Sequence, residues 1–149
     1  MIDPALPFGA CPLCALQAER QAEPLYRDDK LSVILVDDAA YPGFCRVIWH
    51  AHVKEISDLS DAERQALSDA VNQVELALRA VMAPDKVNVA SLGNVVPHLH
   101  WHVIPRFADD AHFPDPIWAS AVRQTEASIL AARRALLPQL SAEILRRMT

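Results

Sequence analysis

Three histidines alternate with apolar residues in the segment HLHWH, at positions 98, 100 and 102. In an extended strand, side chains two residues apart point to the same face of the sheet. His98, His100 and His102 would then share one surface, while the intervening Leu99 and Trp101 would face the core. The pattern predicts a strand that presents a row of imidazoles.

An imidazole near neutral pH offers several kinds of chemistry. It is a nucleophile when neutral, a cationic hydrogen-bond donor when protonated, and it carries protons between the two forms. Three imidazoles in a row could bind a phosphoryl group, attack its phosphorus and protonate the leaving oxygen. Because like charges repel, the attacking ring is expected to be neutral. A metal-binding or merely polar strand face is the alternative.

Cys11 and Cys14 form a C-x-x-C motif near the start of the chain. The pair could be two inert thiols, a redox pair, or half of a zinc site completed by histidines. No strand-to-helix pattern of the thioredoxin type surrounds it, which disfavours the redox interpretation. With three cysteines in all, the chain has an odd number and too few for a disulfide scaffold. Cys45 is expected to be a core residue.

The elements that would position these residues are short strands and one long helix. Strands are predicted at 31–36, 44–49, 87–91 and 98–105. The first two form a hairpin across the turn signal Tyr41-Pro42-Gly43, and a second turn is predicted at Gly93-Asn94. Ser60 and Glu63 form a capping box for a helix that continues to about residue 80 and that Pro84 ends.

The ends of the chain differ from its middle. Residues 1–14 are predicted to be an irregular lead-in, and a helical tail is expected from about Ser120, interrupted at Pro138. The predicted fold class is α+β, an antiparallel sheet with one central helix packed on it and a C-terminal helical tail. We expect a single domain over 1–149, with its core at about 11–107 and a helical extension at about 118–147.

The composition excludes several classes of function. A net charge of −5 without a basic run argues against nucleic-acid binding, although a small anionic ligand is compatible with it. No segment approaches the ~20 apolar residues that span a bilayer. The N-terminus has no basic region of the signal-peptide type. A cytoplasmic protein that binds neither membrane nor nucleic acid is therefore expected.

Two segments together resemble a known family. VPHLHWHVIPRF, residues 96–107, resembles the His-x-His-x-His signature of the histidine triad family. PGFCRVIWHAHVKEISDL resembles the upstream strand of that family, which leads to a histidine and then a helix, and His52 stands at that histidine position. Gly93-Asn94 takes the place of the family's Gly-Gln. The likeness runs from about residue 11 to 106 and leaves the C-terminal third unmatched.

The resemblance implies an α+β fold, often a homodimer in which two sheets join, and nucleotidyl hydrolases or transferases that act at the α-phosphate. It makes His100 the nucleophile, which forms a transient nucleotidyl-histidine. It makes His102 the residue that contacts the phosphate and assists the leaving group. It gives His98 the role of orienting His100 through its backbone carbonyl.

The same resemblance implies contacts to the nucleotide. Asn94 and Asn88 would donate to phosphate oxygens, and Asp37 or Asp38 would contact the ribose hydroxyls. The chain departs from the family pattern at Phe44, where the family has histidine. It also departs at Trp49, which replaces a proline, and at Asn94, which is shorter than glutamine.

A zinc site follows from the same likeness. Some bacterial histidine triad proteins, and the related galactose-1-phosphate uridylyltransferases, carry such a cysteine pair. The resemblance implies a tetrahedral zinc site of Cys11, Cys14, His52 and His98. With four protein ligands this zinc would be structural. Magnesium accompanying the substrate phosphates is a second candidate cation.

The remaining polar and aromatic residues allow more than one interpretation. His50 and His112 are expected to be exposed. Arg106 could meet a phosphate or lie on the surface. Trp118 and Phe113 could close the nucleotide pocket of a neighbouring subunit or pack under the loop that carries them.

The predicted function is that of a nucleotide hydrolase acting on dinucleoside polyphosphates or nucleoside phosphoramidates. A nucleotide-binding, zinc-stabilised interaction protein with vestigial activity is one alternative. A nucleotidyl transferase or phosphorylase is another. Uridylyl transferases of this kind carry glutamine at the last triad position. His102 stands there in this chain, which favours hydrolysis.

Overall fold

The computed structural model describes residues 11–19 and 23–149. These residues form five strands, four α-helices and a short 3-10 helix at Ile56–Asp58. The strands are β1 (Tyr26–Arg27), β2 (Leu31–Leu35), β3 (Cys45–Trp49), β4 (Lys86–Ala90) and β5 (His100–Arg106). The helices are α1 (Pro12–Glu19), α2 (Asp61–Met82), α3 (Ala127–Arg134) and α4 (Leu137–Met148).

The strands form one antiparallel sheet in the order β1-β2-β3-β5-β4. The predicted hairpin of β2 and β3 is confirmed, and its turn contains Gly43 at a φ of 93°. β5 lies between the central strand β3 and the edge strand β4. Its pairing with β3 sets Arg46 opposite His102 and Ile48 opposite His100. This register brings residues far apart in the sequence to one face.

The capping box at the start of α2 is confirmed. Glu63 N donates to Ser60 Oγ at 3.2 Å, and Ser60 N donates to Glu63 Oε1 at 2.9 Å. The helix ends at Met82, and Ala83 takes a left-handed conformation just before Pro84. Its buried stripe packs on the sheet with Leu67, Ala70, Val74, Ala77, Leu78 and Met82.

The predicted fold class is confirmed, and the core extends further along the chain than expected. α4 packs against α2 on the same side of the sheet. Leu140 and Ile144 of α4 are fully buried in the main core cluster. Burial of such side chains contributes roughly 1.5–3 kcal/mol each. The core therefore continues past residue 107 into the C-terminal tail.

No described helix has the length and apolar character needed to cross a membrane.

Two predictions about the ends of the chain are wrong in part. The irregular lead-in was expected to reach residue 14, but α1 begins at Pro12. Proline suits a first helical position because its missing N–H has no partner there in any case. Residues 1–10 of that lead-in lie outside the described residues. The tail becomes helical at Ala127 rather than near Ser120, whereas the predicted interruption is present at residues 135–136, directly before Pro138 in the first turn of α4.

Candidate functional site

β5 begins at His100, two residues later than predicted, and presents His100 and His102 on the face away from α2. The ring centroids of these two histidines are 5.0 Å apart. Leu99 and Val103 lie in the main core, as expected for the opposite face. The two imidazoles form part of the wall of a cavity of about 450 Å³. The other lining residues are Leu13, Arg46, Leu92, Gly93, Asn94, Val95, Val96 and Trp118.

One hydrogen bond fixes the proton on the ring of His100. Its Nδ1 lies 2.5 Å from the backbone oxygen of His98. Because a carbonyl oxygen only accepts, Nδ1 carries the proton, and the neutral ring has its lone pair on Nε2. Burial lowers the pKa of His100 against the opposing effect of this hydrogen bond, and the charge of Arg46 lowers it further. The ring is thus a neutral imidazole with a defined free nitrogen.

His102 is also held in the neutral form. Burial, followed by the charges of His100 and Arg46, lowers its pKa to about 4. Its Nδ1 is buried and has no hydrogen-bond partner among the described residues. The Trp118 ring approaches it edge-on with centroids 5.2 Å apart, and Phe44 lies at 5.7 Å on another side. Phe44, one of the departures from the family pattern, therefore packs against the last triad histidine.

The expectation that all three imidazoles share one surface is wrong for His98. Its ring is fully buried and does not line the cavity. Cys11, Cys14 and His52 cover the ring, and regular strand pairing begins only after Leu99, whose N donates to Val53 O at 2.8 Å. His98 Nε2 lies 2.6 Å from the carbonyl oxygen of Trp49 and donates to it. The lone pair of its Nδ1 therefore points into a second group of residues.

That second group is the predicted metal cluster. From His98 Nδ1, Cys11 Sγ is 3.5 Å away, Cys14 Sγ is 3.4 Å away and His52 Nδ1 is 3.2 Å away. Cys14 Sγ is 3.3 Å from His52 Nδ1. Ligands of a tetrahedral zinc ion are about 3.3–3.8 Å apart, given its bond lengths to sulfur and nitrogen.

The chemistry of this cluster also suits a cation. The four ligand atoms lie within 4.8 Å of one another, and both cysteines are buried. Burial raises the pKa of Cys14 to about 12, and the hydrogen bond and charge of Cys11 act in the same direction. A bound metal ion would reverse this preference, because a coordinating thiol loses its proton. Cys11, Cys14, His52 and His98 therefore form a group that could hold a metal ion.

The other predicted nucleotide contacts are divided by the fold. Asn94 lines the cavity, whereas Asp37, Asp38 and Asn88 do not. Asp37 is exposed, and Asp38 Oδ1 accepts from Ala40 N at 3.0 Å in the turn that follows β2. Asn88 Oδ1 accepts from Arg106 Nη1 at 2.7 Å. The structure thus brings Asn94 next to the histidines and leaves the other three outside the cavity wall.

Arg106 matches neither of its predicted settings, because it is a buried structural residue. Its guanidinium donates to both carboxylate oxygens of Asp110, through Nε at 2.7 Å and Nη2 at 3.1 Å.

The expectation that His112 is exposed is also wrong. Its Nδ1 lies 2.6 Å from the Tyr41 hydroxyl, and the two rings stack. His50 is half-buried, with Nε2 2.8 Å from the hydroxyl oxygen of Ser32.

Trp118 lies in the cavity of its own chain, a placement that neither predicted alternative described. Phe113, from the same loop, lies 5.7 Å from the Arg106 guanidinium and packs under the loop as one alternative proposed.

The residue that sequence reasoning missed altogether is Arg46. Its signal was a single charge within the apolar strand FCRVIW. Only the register of β3 against β5 shows that this charge faces His102.

Comparisons with known proteins agree with this geometry. The chain is 32% identical over 87 residues to a protein named AP-4-A phosphorylase from Mycobacterium tuberculosis. That alignment covers 54% of this chain and 45% of the relative, so the chain matches less than half of that relative's length.

Solved structures give a longer match. A histidine triad protein from Bradyrhizobium japonicum superposes with a TM-score of 0.69 at 25% identity, over 89% of this chain and 95% of that one. A Zn-bound histidine triad family protein from Mycobacterium smegmatis has the same fold, with a TM-score of 0.59 at 23% identity over 91% and 99% of the two chains. The HIT domain model matches residues 17–109, more than half of the sequence. The chain therefore belongs to the HIT, or histidine triad, family.

Proposed function

We propose that this chain is a nucleotidyl hydrolase that acts at the α-phosphate of dinucleoside polyphosphates or nucleoside phosphoramidates. The observation that carries the proposal is the orientation of His100. Its Nδ1 is bound to the His98 carbonyl at 2.5 Å, so the neutral ring keeps a lone pair on Nε2 at the wall of the cavity. Membership of the HIT family and the likeness to a phosphorylase support a nucleotide as the substrate.

In the first step the Nε2 lone pair of His100 attacks the α-phosphorus and forms a P–N bond. The bond from phosphorus to the bridging atom breaks, and its electron pair leaves with the departing group, which departs as a phosphate anion from a polyphosphate or takes a proton from solvent and departs as the amine from a phosphoramidate. In the second step water attacks phosphorus and releases a proton to solvent, the bond from phosphorus to His100 Nε2 breaks, and His100 is released as neutral imidazole. The products are a nucleoside monophosphate and the leaving group. The hydrogen bond to His98 keeps the reacting nitrogen in place in both steps.

His102 and Asn94 have supporting roles in this proposal. His102 lines the same cavity, and its neutral ring can form a hydrogen bond with a phosphate oxygen. Asn94 lines the same cavity and can donate its amide N–H. Asp37, Asp38 and Asn88 take no part in the proposed steps, because they lie outside the cavity wall.

We also propose that Cys11, Cys14, His52 and His98 hold a structural zinc ion. The donor set and the distances between ligand atoms fit tetrahedral zinc, and the relative from M. smegmatis is described as Zn-bound. The zinc would supply a cross-link between α1 and the segment that precedes β5. No step of the reaction passes through it.

The predicted homodimer and cytoplasmic location belong to the same proposal. Within the described chain, β4 is an edge of the sheet, and its Val89 is exposed. An edge strand with an exposed apolar residue can pair with a second copy so that two sheets join. Sedimentation of the purified protein tests this arrangement.

A phosphorylase is the second candidate, favoured by the name of the M. tuberculosis relative. Orthophosphate would then replace water in the second step, and the product would be a nucleoside diphosphate. Product chromatography with and without added orthophosphate separates the two activities. Water as acceptor gives a nucleoside monophosphate in both conditions.

The proposed function is tested by intact mass spectrometry after brief mixing with a dinucleoside polyphosphate and quenching above neutral pH. We expect a mass increase equal to one nucleotidyl group in the wild type, and none in His100→Ala. A protein that binds the nucleotide but shows no adduct and no product would instead be the nucleotide-binding, zinc-stabilised interaction protein that the sequence offered as an alternative.

A further inference from the structure

Arg46 is a cation on the cavity wall for which no described residue supplies a matching anion. It lies on β3 directly opposite His102, so the two side chains leave the same face of the sheet. Among the described residues, its buried Nε has no hydrogen-bond partner, and no carboxylate forms an ion pair with its guanidinium. The guanidinium carbon lies 5.8 Å from the centre of the Phe44 ring.

A buried N–H of a charged group destabilises the folded state when it has no hydrogen-bond partner, because the group loses its hydrogen bonds to water and forms none in the protein. Burial lowers the pKa of Arg46 from its ordinary value, yet a guanidinium stays charged in proteins. The Nδ1 of His102, the residue opposite Arg46, is a second buried nitrogen that has no partner within the part of the chain that the structure describes. Two such nitrogens on one face of the sheet, next to a cavity of about 450 Å³, are typical of a site that an anion completes.

The position of Arg46 shows which part of the substrate it would meet. His100 marks the α-phosphorus, and His102 and Asn94 serve its oxygens in the proposed reaction. Arg46 lies on the neighbouring strand, about 4.8 Å away across the sheet. Of the cavity-lining residues in the described part of the chain, Arg46 carries a full positive charge and none carries a carboxylate. A planar guanidinium suits phosphate oxygens, which it can bind through two N–H groups.

We propose that Arg46 binds the phosphates that follow the α-phosphate, so that the site selects nucleotides with a polyphosphate chain over nucleoside phosphoramidates. The inference rests on the proposed function and narrows its substrate class. A phosphoramidate has one phosphorus and offers Arg46 no further anionic group. A polyphosphate leaving group also departs as a stabilised anion, whereas an amine needs a proton before it leaves. Burial, and then the charges of His100 and Arg46, lower the pKa of His102, so a protonated His102 is a poor source of that proton.

The test has one arm that does not depend on turnover. Isothermal titration calorimetry measures the binding of inorganic tripolyphosphate to the wild type, Arg46→Gln and Arg46→Lys. We expect the glutamine variant to bind about ten to a hundred times more weakly, the range of one charge-assisted hydrogen bond. The lysine variant should recover part of the loss. Arg134→Gln, which removes the same charge from an exposed position on α3 outside the cavity, is the matched control and should bind as the wild type does.

The second arm compares kcat/KM for diadenosine tetraphosphate and for adenosine phosphoramidate. The ratio of the two should fall at least about tenfold in Arg46→Gln. Melting temperatures verify that each variant is folded. Equal losses on both substrates would overturn the proposal. So would wild-type protein that does not bind tripolyphosphate, or an Arg46→Gln variant that binds it as tightly as the wild type. If neither substrate is turned over, the proposed function fails, and the calorimetry alone still decides the role of Arg46.

Discussion

His98 connects the candidate metal cluster to His100, the proposed nucleophile, through its ring and its backbone carbonyl. Its ring nitrogen Nδ1 lies within 3.5 Å of both cysteines, while its backbone oxygen lies 2.5 Å from His100 Nδ1. A single residue therefore belongs to the cluster with its side chain and orients the neighbouring imidazole with its main chain. Any change that displaces the His98 ring is expected to disturb the orientation of His100 as well.

The first prediction concerns metal content. Purified protein should contain about one zinc ion per chain by mass spectrometry of the metals, because four buried ligands fit one tetrahedral ion. Cys14→Ser should lose most of this zinc and unfold at a lower temperature, since metal binding contributes to folding. It should also lower kcat, because His98 would no longer hold its carbonyl in place for His100.

His50→Ala is the control for that experiment. His50 lies two residues from His52 but contacts Ser32 instead of the cluster. The variant should keep its zinc. Zinc-free wild-type protein in which Cys11 and Cys14 react freely with an alkylating reagent, while buried Cys45 does not, would contradict the metal site.

The second prediction separates binding from chemistry at His100. His100→Ala should bind a non-hydrolysable dinucleoside polyphosphate within a few-fold of the wild-type affinity, because Arg46, His102 and Asn94 remain in the cavity. Its kcat should fall by several orders of magnitude, since the attacking nitrogen is gone. Affinity and turnover that decline together would assign His100 to binding rather than to catalysis.

The sequence was sufficient for the local features of this fold. The capping box of Ser60 and Glu63, the hairpin and the triad motif depend on residues close in the chain, so their spacing predicts them. The family likeness supplied the grouping of Cys11 and Cys14 with His52 and His98, which a C-x-x-C motif alone leaves open.

Features that depend on tertiary register could not be predicted. Arg46 faces His102 only because β3 pairs with β5 at that offset, and no local pattern sets the offset. The strand preference of HLHWH was overridden at His98, whose ring is drawn to the cysteines and whose Nε2 binds the Trp49 carbonyl. Arg106 resembled a surface residue because its partner, Asp110, lies in a loop that sequence patterns describe poorly.

The third prediction concerns Trp118, which closes part of the cavity. Its ring lies 5.2 Å from that of His102, yet 52% of the residue is exposed, so it is available to a ligand. Trp118→Ala should raise KM about five- to tenfold, the effect of losing one aromatic contact of about 1 kcal/mol. Trp118→Phe should keep most of the affinity. Val122→Ala, at a more exposed apolar position outside the cavity, should leave KM unchanged, and a similar rise there would indicate a general effect on the loop.

The last prediction concerns the buried pair of Arg106 and Asp110, whose side chains are 2% and 1% exposed. Burial alone would raise the pKa of the Asp110 carboxyl. The hydrogen bonds from Arg106 and from backbone amides outweigh burial and hold that pKa well below its ordinary value. A carboxyl whose pKa is lower in the folded state stabilises the protein above its unfolded value of about 3.9 and loses that contribution as the pH falls.

Asp110→Asn should therefore change both the size and the pH dependence of stability. At pH 7 it leaves a buried guanidinium without its anion, which costs roughly 3–5 kcal/mol in the free energy of unfolding. Between about pH 4 and 2 the wild type should lose stability more steeply than the variant, because the variant has no carboxyl to protonate at this position.

Asp109→Asn removes the neighbouring carboxylate, which pairs with Arg133 at 2.7 Å but is 45% exposed. It should cost less than about 1 kcal/mol and keep the wild-type pH slope. Urea unfolding followed by tryptophan fluorescence measures all three proteins, and equal slopes for the wild type and Asp110→Asn would mean that Asp110 does not carry this dependence.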